Sequence, residues 1–404
     1  MFFALSFTIV EDFFCVSSNL FLNHHLKLSP LSRFFLFFTF TLVTTTLAGA
    51  EWMTGNFWFH FGQNMKPLGM GDFLRGLQFS LPFLGVLTVH EFGHYYFARK
   101  HKADVTLPLY IPAWLGFIAV QSLGTMGAFI RLKSQLKSRL EYFDVGVAGP
   151  LAGFVAALVL LFYGFTHLPP LDYLFHIHPD YAKYGADYAQ HVYQNPGANL
   201  RIGSNLLFQF FETYVVSDKS LIPHSYELMH YPFIFAGYLS LFFTALNLMP
   251  IGQLDGGHIL FSTFGSRVHS VVSPSLFVLF ILYAGLGTPY PIDVHYDPFL
   301  PEKLWNNLMI FGVVFISVSR VFKYYLNNIT LAVAIFGFQY VMRIWFPMVD
   351  GNSGWIVFGL ILGRFLGIYH PEVEDNRPLD TKRLVISFLA LVVFVICFSA
   401  KPFS

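Results

Sequence analysis

"GVLTVHEFGHYYFARK", residues 85–100, places two histidines and a glutamate inside a run of Leu, Val, Phe and Tyr. Each of these ionisable side chains is costly to bury in apolar surroundings and needs a partner there. His90 and His94 are four residues apart, so on a helix they project from one face, one turn apart. The stretch therefore predicts an apolar helix that carries a functional site.

The composition of the chain indicates a membrane protein. Of 404 residues, 55% are hydrophobic and 12% are charged, and the mean hydropathy is +0.56. Soluble domains carry about 25% charged residues, and about 20 apolar residues of helix cross a bilayer core. We predict an all-α polytopic membrane protein embedded in a lipid bilayer. The net charge of +1 argues against nucleic acid as a partner.

The apolar blocks predict about eight or nine transmembrane or re-entrant helices. Several blocks are short or interrupted by Gly and Pro, and such breaks are tolerated in membranes only where protein or water covers them. The nine candidate segments are residues 34–50, 73–98, 144–165, 231–250, 256–286, 305–325, 330–346, 354–368 and 383–399.

Two polar stretches indicate the topology. Residues 99–143 contain the basic runs RKHK and RLKSQLKSR, which places this stretch on the cytosolic side. The C-terminal end of the histidine-bearing helix then lies at the cytosolic face, and the polar residues 166–229 form an extramembrane insertion on the opposite side. We expect an integral protein of a bacterial cytoplasmic membrane, with its site near the cytosolic face.

The same pattern divides the chain into four parts. They are an N-terminal extension (residues 1–33), a first transmembrane helix with an outer loop (34–72), a core that includes the insertion (73–260), and C-terminal transmembrane helices with a tail (261–404).

The string HEFGH has the spacing of a zinc site. Two imidazoles at i and i+4 can bind one ion, and Glu91 between them can reach a water on that ion. Zn²⁺ with three protein ligands keeps a fourth position for water and lowers the pKa of that water to about 7. A chance occurrence is the simpler alternative, with odds of about one in a hundred for a chain of this length.

Asp255, in "NLMPIGQLDGGHIL" at 247–260, is the best candidate for a third ligand. It lies between the predicted spans 231–250 and 256–286, at the same predicted depth in the membrane as the two histidines. Pro250 breaks the helix, and Gly256 and Gly257 allow close backbone approach. The alternative is that Asp255 only caps the helix that follows.

Several motifs together resemble the site-2 proteases, a family of intramembrane zinc metalloproteases. HEFGH and NLMPIGQLDGG match the two signatures of the family, and "FDVGVAGPLAG" at 143–153 is similar to its middle core helix. "SLGTMGAFIRL" at 122–132 resembles its small membrane-associated β-hairpin. The tail "GIYHPEVEDNRPLDTKR" at 367–383 is similar to that of members without a PDZ domain.

The resemblance implies the roles of individual residues. His90, His94 and Asp255 would bind zinc, and Glu91 would be the general base. Asn247 would face the cleft and hold or polarise the substrate carbonyl. The implied reaction is hydrolysis of a peptide bond within or near a transmembrane segment of single-pass membrane proteins. The segment Gly124–Arg131 would pair with an unwound substrate strand, although a simple re-entrant turn explains its glycines equally well.

Other features have simpler interpretations. The series Gly146, Gly149 and Gly153 predicts close packing of helices, and the basic run 131–139 predicts a topology determinant. We expect His258 to hydrogen-bond near the metal and not to bind it. The scattered histidines are expected to be solvated or interfacial; these are His24, His25, His101, His370 and those of the insertion.

Three other functions compete with the intramembrane protease. A transporter or ion pathway could use buried His, Glu and Asp, but it predicts corresponding interrupted segments in two halves of the chain, and none is apparent. A protease-like scaffold without catalysis would not need Glu91 and Asp255. Another class of HExxH membrane protease would use a glutamate as its third ligand.

Overall fold

The computed structural model describes residues 29–59, 67–194, 200–292 and 299–404. Most of the predicted N-terminal extension, with His24 and His25, lies outside the described residues. The described chain is mostly helical and contains one two-stranded antiparallel sheet. Its helices are α1 (Pro30–Thr54), α2 (Met70–Lys100), α3 (Arg139–Thr166), α4 (Asp172–Ile177), α5 (Tyr188–Val192), α6 (Leu206–Phe210), α7 (Pro232–Leu248), α8 (Asp255–Phe264), α9 (Ser266–Ala284), α10 (Leu300–Val318), α11 (Tyr325–Trp345), α12 (Gly354–Ile361) and α13 (Thr381–Cys397).

Four of the described helices are long and apolar enough to cross a membrane: α1, α3, α9 and α11. The helix α7 and the segment Gly354–Leu366 are apolar but shorter. The helix α2 has 31 residues but is not among the four, because side chains such as His90 and Glu91 interrupt its apolar sequence. The expectation of a helical membrane protein is therefore confirmed, whereas the count of eight or nine spans is not.

The predicted span 256–286 is divided into α8 and α9 at Gly265. This residue has φ +86°, a conformation that L side chains rarely adopt. The Arg139 guanidinium donates hydrogen bonds to the carbonyl oxygens of Ser262, at 2.7 and 3.0 Å, and Thr263, at 3.0 Å. These are last-turn carbonyls of α8, which have no partner within the helix. Arg139 is buried and holds α8 against α3, a role that the interpretation of the basic run as a topology determinant does not include.

Helix α2 packs between α1 and α3, and α7 and α8 pack on α3. Glycines allow the helices to approach closely: a Cβ at Gly76 would lie 2.3 Å from the Thr46 carbonyl oxygen of α1, and one at Gly237 would lie 2.6 Å from Leu161. Aromatic side chains fill the space between them, including Phe79, Phe143, Phe165 and Phe235. The core thus lies around α2 and α3, the helices that carry HEFGH and FDVGVAGPLAG.

A two-stranded sheet is present, but the segment predicted to form the hairpin, residues 122–132, supplies only its second strand. Strand β2 (Gly124–Phe129) pairs antiparallel with β1 (Leu109–Ala113), with Leu109 opposite Phe129 and Ala113 opposite Gly124. The register shifts between Ile111 and Pro112, where proline removes a backbone donor. Residues 124–129 of the segment 124–131 are therefore a strand and not a simple re-entrant turn.

The described part of the insertion is folded. Its ring contacts reach the core: Phe165 of α3 lies 5.0 Å from Phe208 and 5.7 Å from Phe211, measured between ring centroids. Phe208 also contacts Tyr238 of α7 at 5.5 Å. The insertion is thus anchored on the ends of α3 and α7 by buried aromatic side chains.

Candidate metal centre

Helix α2 brings His90 and His94 together on its buried face. Their Nε2 atoms are 3.0 Å apart. His94 Nδ1 lies 2.8 Å from the Val145 carbonyl oxygen of α3. Because a carbonyl only accepts, Nδ1 carries the proton, and in a neutral imidazole the Nε2 lone pair then faces His90 Nε2. The i, i+4 spacing therefore produces the arrangement that the sequence indicates.

Asp255 joins the two imidazoles from the first residue of α8. Its Oδ2 lies 3.3 Å from His94 Nε2 and 3.6 Å from His90 Nε2. The residue that caps α8 is Leu254, and the Asp255 side chain points at the histidines, so the simple capping interpretation is wrong. A Cβ at Gly256 would lie 2.0 Å from the Leu248 carbonyl oxygen, which explains why a glycine follows the aspartate.

These three side chains fit a single divalent cation. One ligand atom from each lies within 4.8 Å of the others, and all three residues are buried. Ligands about 2.0–2.2 Å from a tetrahedral zinc ion lie about 3.3–3.6 Å from one another, and the observed distances of 3.0, 3.3 and 3.6 Å overlap this range. Asp255 Oδ1 has no hydrogen-bond partner. A buried carboxylate therefore faces two imidazoles while one of its acceptor oxygens remains unsatisfied. A cation between them would satisfy this set.

The glycines of α3 make room for the imidazoles. A Cβ at Gly149 would lie 2.2 Å from His94 Nε2, and one at Gly153 would lie 3.1 Å from His90 Cβ. A Cβ at Gly146 would lie 3.0 Å from His258 Cβ. The series therefore serves close packing, as the sequence predicts, and it packs against the face of α2 that carries His90 and His94 and against the start of α8.

Glu91 lies beside this set at the wall of a cleft. The cleft is lined by α2, α3, α7 and β2, and its wall includes Leu87, Met126, Phe243 and Asn247. The buried Oε2 of Glu91 has no hydrogen-bond partner. Asn247 Nδ2 lies 3.3 Å from His90 Nε2. A carboxylate and an amide thus face one cleft next to His90, His94 and Asp255.

Comparison with known proteins decides the family. The profile of peptidase family M50, the site-2 proteases, matches residues 78–285, slightly more than half of the chain and all of the side chains above. The chain belongs to peptidase family M50. The resemblance indicated by the motifs is thereby confirmed. No solved structure gives a significant match to this M50 chain.

Plant proteins are similar to this M50 chain. "Probable zinc metalloprotease EGY2, chloroplastic" of Oryza sativa subsp. indica is 29% identical over 204 residues, 49% of this chain and 31% of that protein. "Probable zinc metalloprotease EGY1, chloroplastic" is 30% identical over 247 residues in Oryza sativa subsp. japonica, 56% of this chain and 37% of that protein. The Arabidopsis thaliana EGY1 is 27% identical over 224 residues, 54% and 36% of the two chains.

The M50 chain spans about a third of the length of these curated relatives. Their names place them in chloroplasts, so they lend no support to the expected bacterial cytoplasmic membrane. A membrane protein is supported by the apolar helices.

The tail of the M50 chain approaches the site, which sequence reasoning missed. His370 Nε2 lies 2.9 Å from His258 Nδ1, and the His370 ring stacks on Phe261 at 3.7 Å between centroids. Burial lowers the pKa of His370 to about 2, so the ring is neutral. His101 contacts Asp144 at 2.9 Å. We expected His101 and His370 to be solvated or interfacial; both are half-buried, and residues remote in sequence cover part of each ring.

Proposed function

We propose that the chain is an intramembrane zinc metalloprotease that hydrolyses a peptide bond within or near a transmembrane segment of a membrane-protein substrate. The observation that carries this proposal is the convergence of His90, His94 and Asp255 beside Glu91 in a buried cleft. The M50 profile and the names of the relatives as zinc metalloproteases support it.

The proposal assigns a role to each side chain. His90, His94 and Asp255 hold Zn²⁺, which when bound supplies the Lewis acidity that polarises a carbonyl and acidifies water. Glu91 Oε2 accepts a proton from the attacking water and delivers it to the nitrogen that leaves as the C–N bond breaks. Asn247, on the cleft wall, donates from Nδ2 to the substrate carbonyl oxygen.

Strand β2 gives the substrate a place to bind as an extended segment. A transmembrane helix uses its own amides, so it must unwind before cleavage, and the freed groups need partners in a membrane. Addition of the unwound segment to a strand edge supplies those partners. Met126 of β2 is 53% exposed and lines the same cleft as His90 and Glu91. We therefore place the substrate strand along β2.

The proposal is tested by cleavage of single-pass membrane proteins that carry a tag at each end. The purified chain, in bilayers, is expected to cut them inside or at the edge of the transmembrane segment. A zinc chelator should stop the reaction and added Zn²⁺ should restore it. Mass spectrometry of the fragments locates the cut. Fragments that are equally abundant with a Glu91→Gln variant would rule out proteolysis by this site.

We also propose that the cut lies in the cytosolic half of the bilayer. His94 precedes Arg99 by five residues, about 7.5 Å of helix at 1.5 Å per residue. The basic runs that follow α2 favour the cytosolic side. Helix α2 thus carries the metal-binding set close to that face, and the insertion lies on the other side.

Cysteine labelling tests this orientation. Lys102 and Asp180 are exposed, so each can be replaced by cysteine in a chain that also carries Cys15→Ser and Cys397→Ala. In intact cells an impermeant reagent is expected to label the Asp180→Cys chain and not the Lys102→Cys chain. Both should react after the membrane is permeabilised. Labelling of Lys102→Cys in intact cells would reverse the orientation and the side of the cut.

A further inference from the structure

A second cluster with metal-ligand geometry lies where the insertion meets the start of α7. His178 Nε2 and His230 Nε2 are 3.1 Å apart, and Glu227 Oε2 lies 3.3 Å from His230 Nε2 and 3.5 Å from His178 Nε2. The corresponding distances in the set formed by His90, His94 and Asp255 are 3.0, 3.3 and 3.6 Å. The two clusters therefore share both the donor set, two imidazoles and a carboxylate, and its dimensions.

Hydrogen bonds behind the ligand atoms orient this second cluster. His230 Nδ1 lies 3.0 Å from the Met53 carbonyl oxygen at the end of α1. Since the carbonyl accepts, Nδ1 carries the proton and neutral His230 presents the Nε2 lone pair to the cluster. The Tyr193 hydroxyl donates to Glu227 Oε1, which leaves Oε2 facing the imidazoles. Such outer contacts commonly fix the ligands of a metal ion.

The protons of the cluster do not supply a donor to every buried acceptor in it. Glu227 is 1% exposed, and its Oε2 has no hydrogen-bond partner. With both imidazoles neutral and the carboxylate ionised, His178 Nε2 can carry one proton, which serves either His230 Nε2 or Glu227 Oε2 and leaves the other acceptor unpaired. A buried acceptor without a partner costs about 1–3 kcal/mol. One divalent cation between the three atoms satisfies all of them together.

We propose that His178, Glu227 and His230 bind a second Zn²⁺ ion, separate from the site at His90. Two imidazoles and a carboxylate are a donor set that zinc accepts. The helix α7, 17 residues long, separates the two clusters by about 25 Å at 1.5 Å per residue. The distance excludes a shared two-metal centre, in which the ions are about 4 Å apart.

The second ion has a structural role. His178 lies in the insertion, Glu227 and His230 lead into α7, and the His230 ring is held by α1. A bond from each ligand to one ion ties the insertion to the ends of two helices. The His178 side chain is 32% exposed, so water reaches the ion from the insertion side and completes its coordination. This gives residues 166–229 a role that the sequence motifs do not supply.

The test is the zinc content of the full-length chain, purified without a histidine tag and measured by elemental mass spectrometry. We expect two zinc ions per wild-type chain, one in His94→Ala, one in His178→Gln, and none in the double variant. Glu227→Gln, which keeps the shape of the side chain, is a second variant and should also retain one. His191→Gln, at an exposed histidine of α5 in the same insertion, is the matched control and should retain two.

Each outcome decides one site. If His178→Gln and Glu227→Gln both contain as much zinc as the wild type, the second site is rejected. If His94→Ala retains all the zinc of the wild type, the site in α2 is rejected and the second can still stand. Thermal unfolding gives an independent readout: a chelator should lower the melting temperature of His94→Ala but not that of the double variant.

Discussion

Glu91→Gln is expected to retain zinc and to lose proteolysis. Glutamine has the shape of glutamate and leaves His90, His94 and Asp255 in place, but it cannot accept a proton from water. A positioned general base contributes about 10²–10⁴-fold to a rate, so turnover of a tagged membrane substrate should fall by at least about 10²-fold. The measurement is the initial rate of fragment formation, together with the zinc content of the same preparation.

The control for this variant is Glu302→Gln, the same chemical change at an exposed position of α10. It should cleave at the wild-type rate. A rate for Glu91→Gln within tenfold of wild type, about 1.4 kcal/mol of barrier, would remove Glu91 from the role of base. Loss of zinc from Glu91→Gln would instead show that the carboxylate supports the metal, and the loss of activity would then say nothing about proton transfer.

Gly149→Ala is expected to disable the metal site without changing a ligand. The added Cβ would lie 2.2 Å from His94 Nε2, far closer than any real carbon contact. The imidazole must therefore move away, or α3 must separate from α2, and both changes displace a ligand atom. We expect the loss of one zinc ion per chain and a fall in cleavage of more than about 10²-fold, comparable to loss of a catalytic group.

Gly85→Ala in α2 is the matched control, because a Cβ at Gly85 would meet no atom within 4 Å. Alanine is the better helix former at both positions, so the two variants differ only in what the methyl group touches. Gly85→Ala should retain the zinc content and the cleavage activity of the wild type. Wild-type zinc content in Gly149→Ala would mean that the imidazole is not held against α3 as the structure places it.

The sequence by itself determined the helix at His90 and the family. Two imidazoles and a glutamate within one apolar stretch indicate a metal site, because helical periodicity alone puts the imidazoles on one face. The order of the motifs from residue 80 to 260 then predicted the M50 family, which the comparison confirmed. Asp255 was selected by predicted depth and by the resemblance, and the structure brings it to the two histidines.

Only the tertiary structure decided which residues far apart in the sequence are in contact. Arg139 belongs to a basic run in the sequence, and only its contact with the end of α8 shows that it holds that helix in place. His178, Glu227 and His230 are scattered polar residues in the sequence, because they converge only when the insertion folds onto α1 and α7. Periodicity reports which side of a helix is buried, but it carries no information on which distant segment covers that side. Those contacts depend on how whole helices pack, and therefore only the folded chain reveals the second cluster.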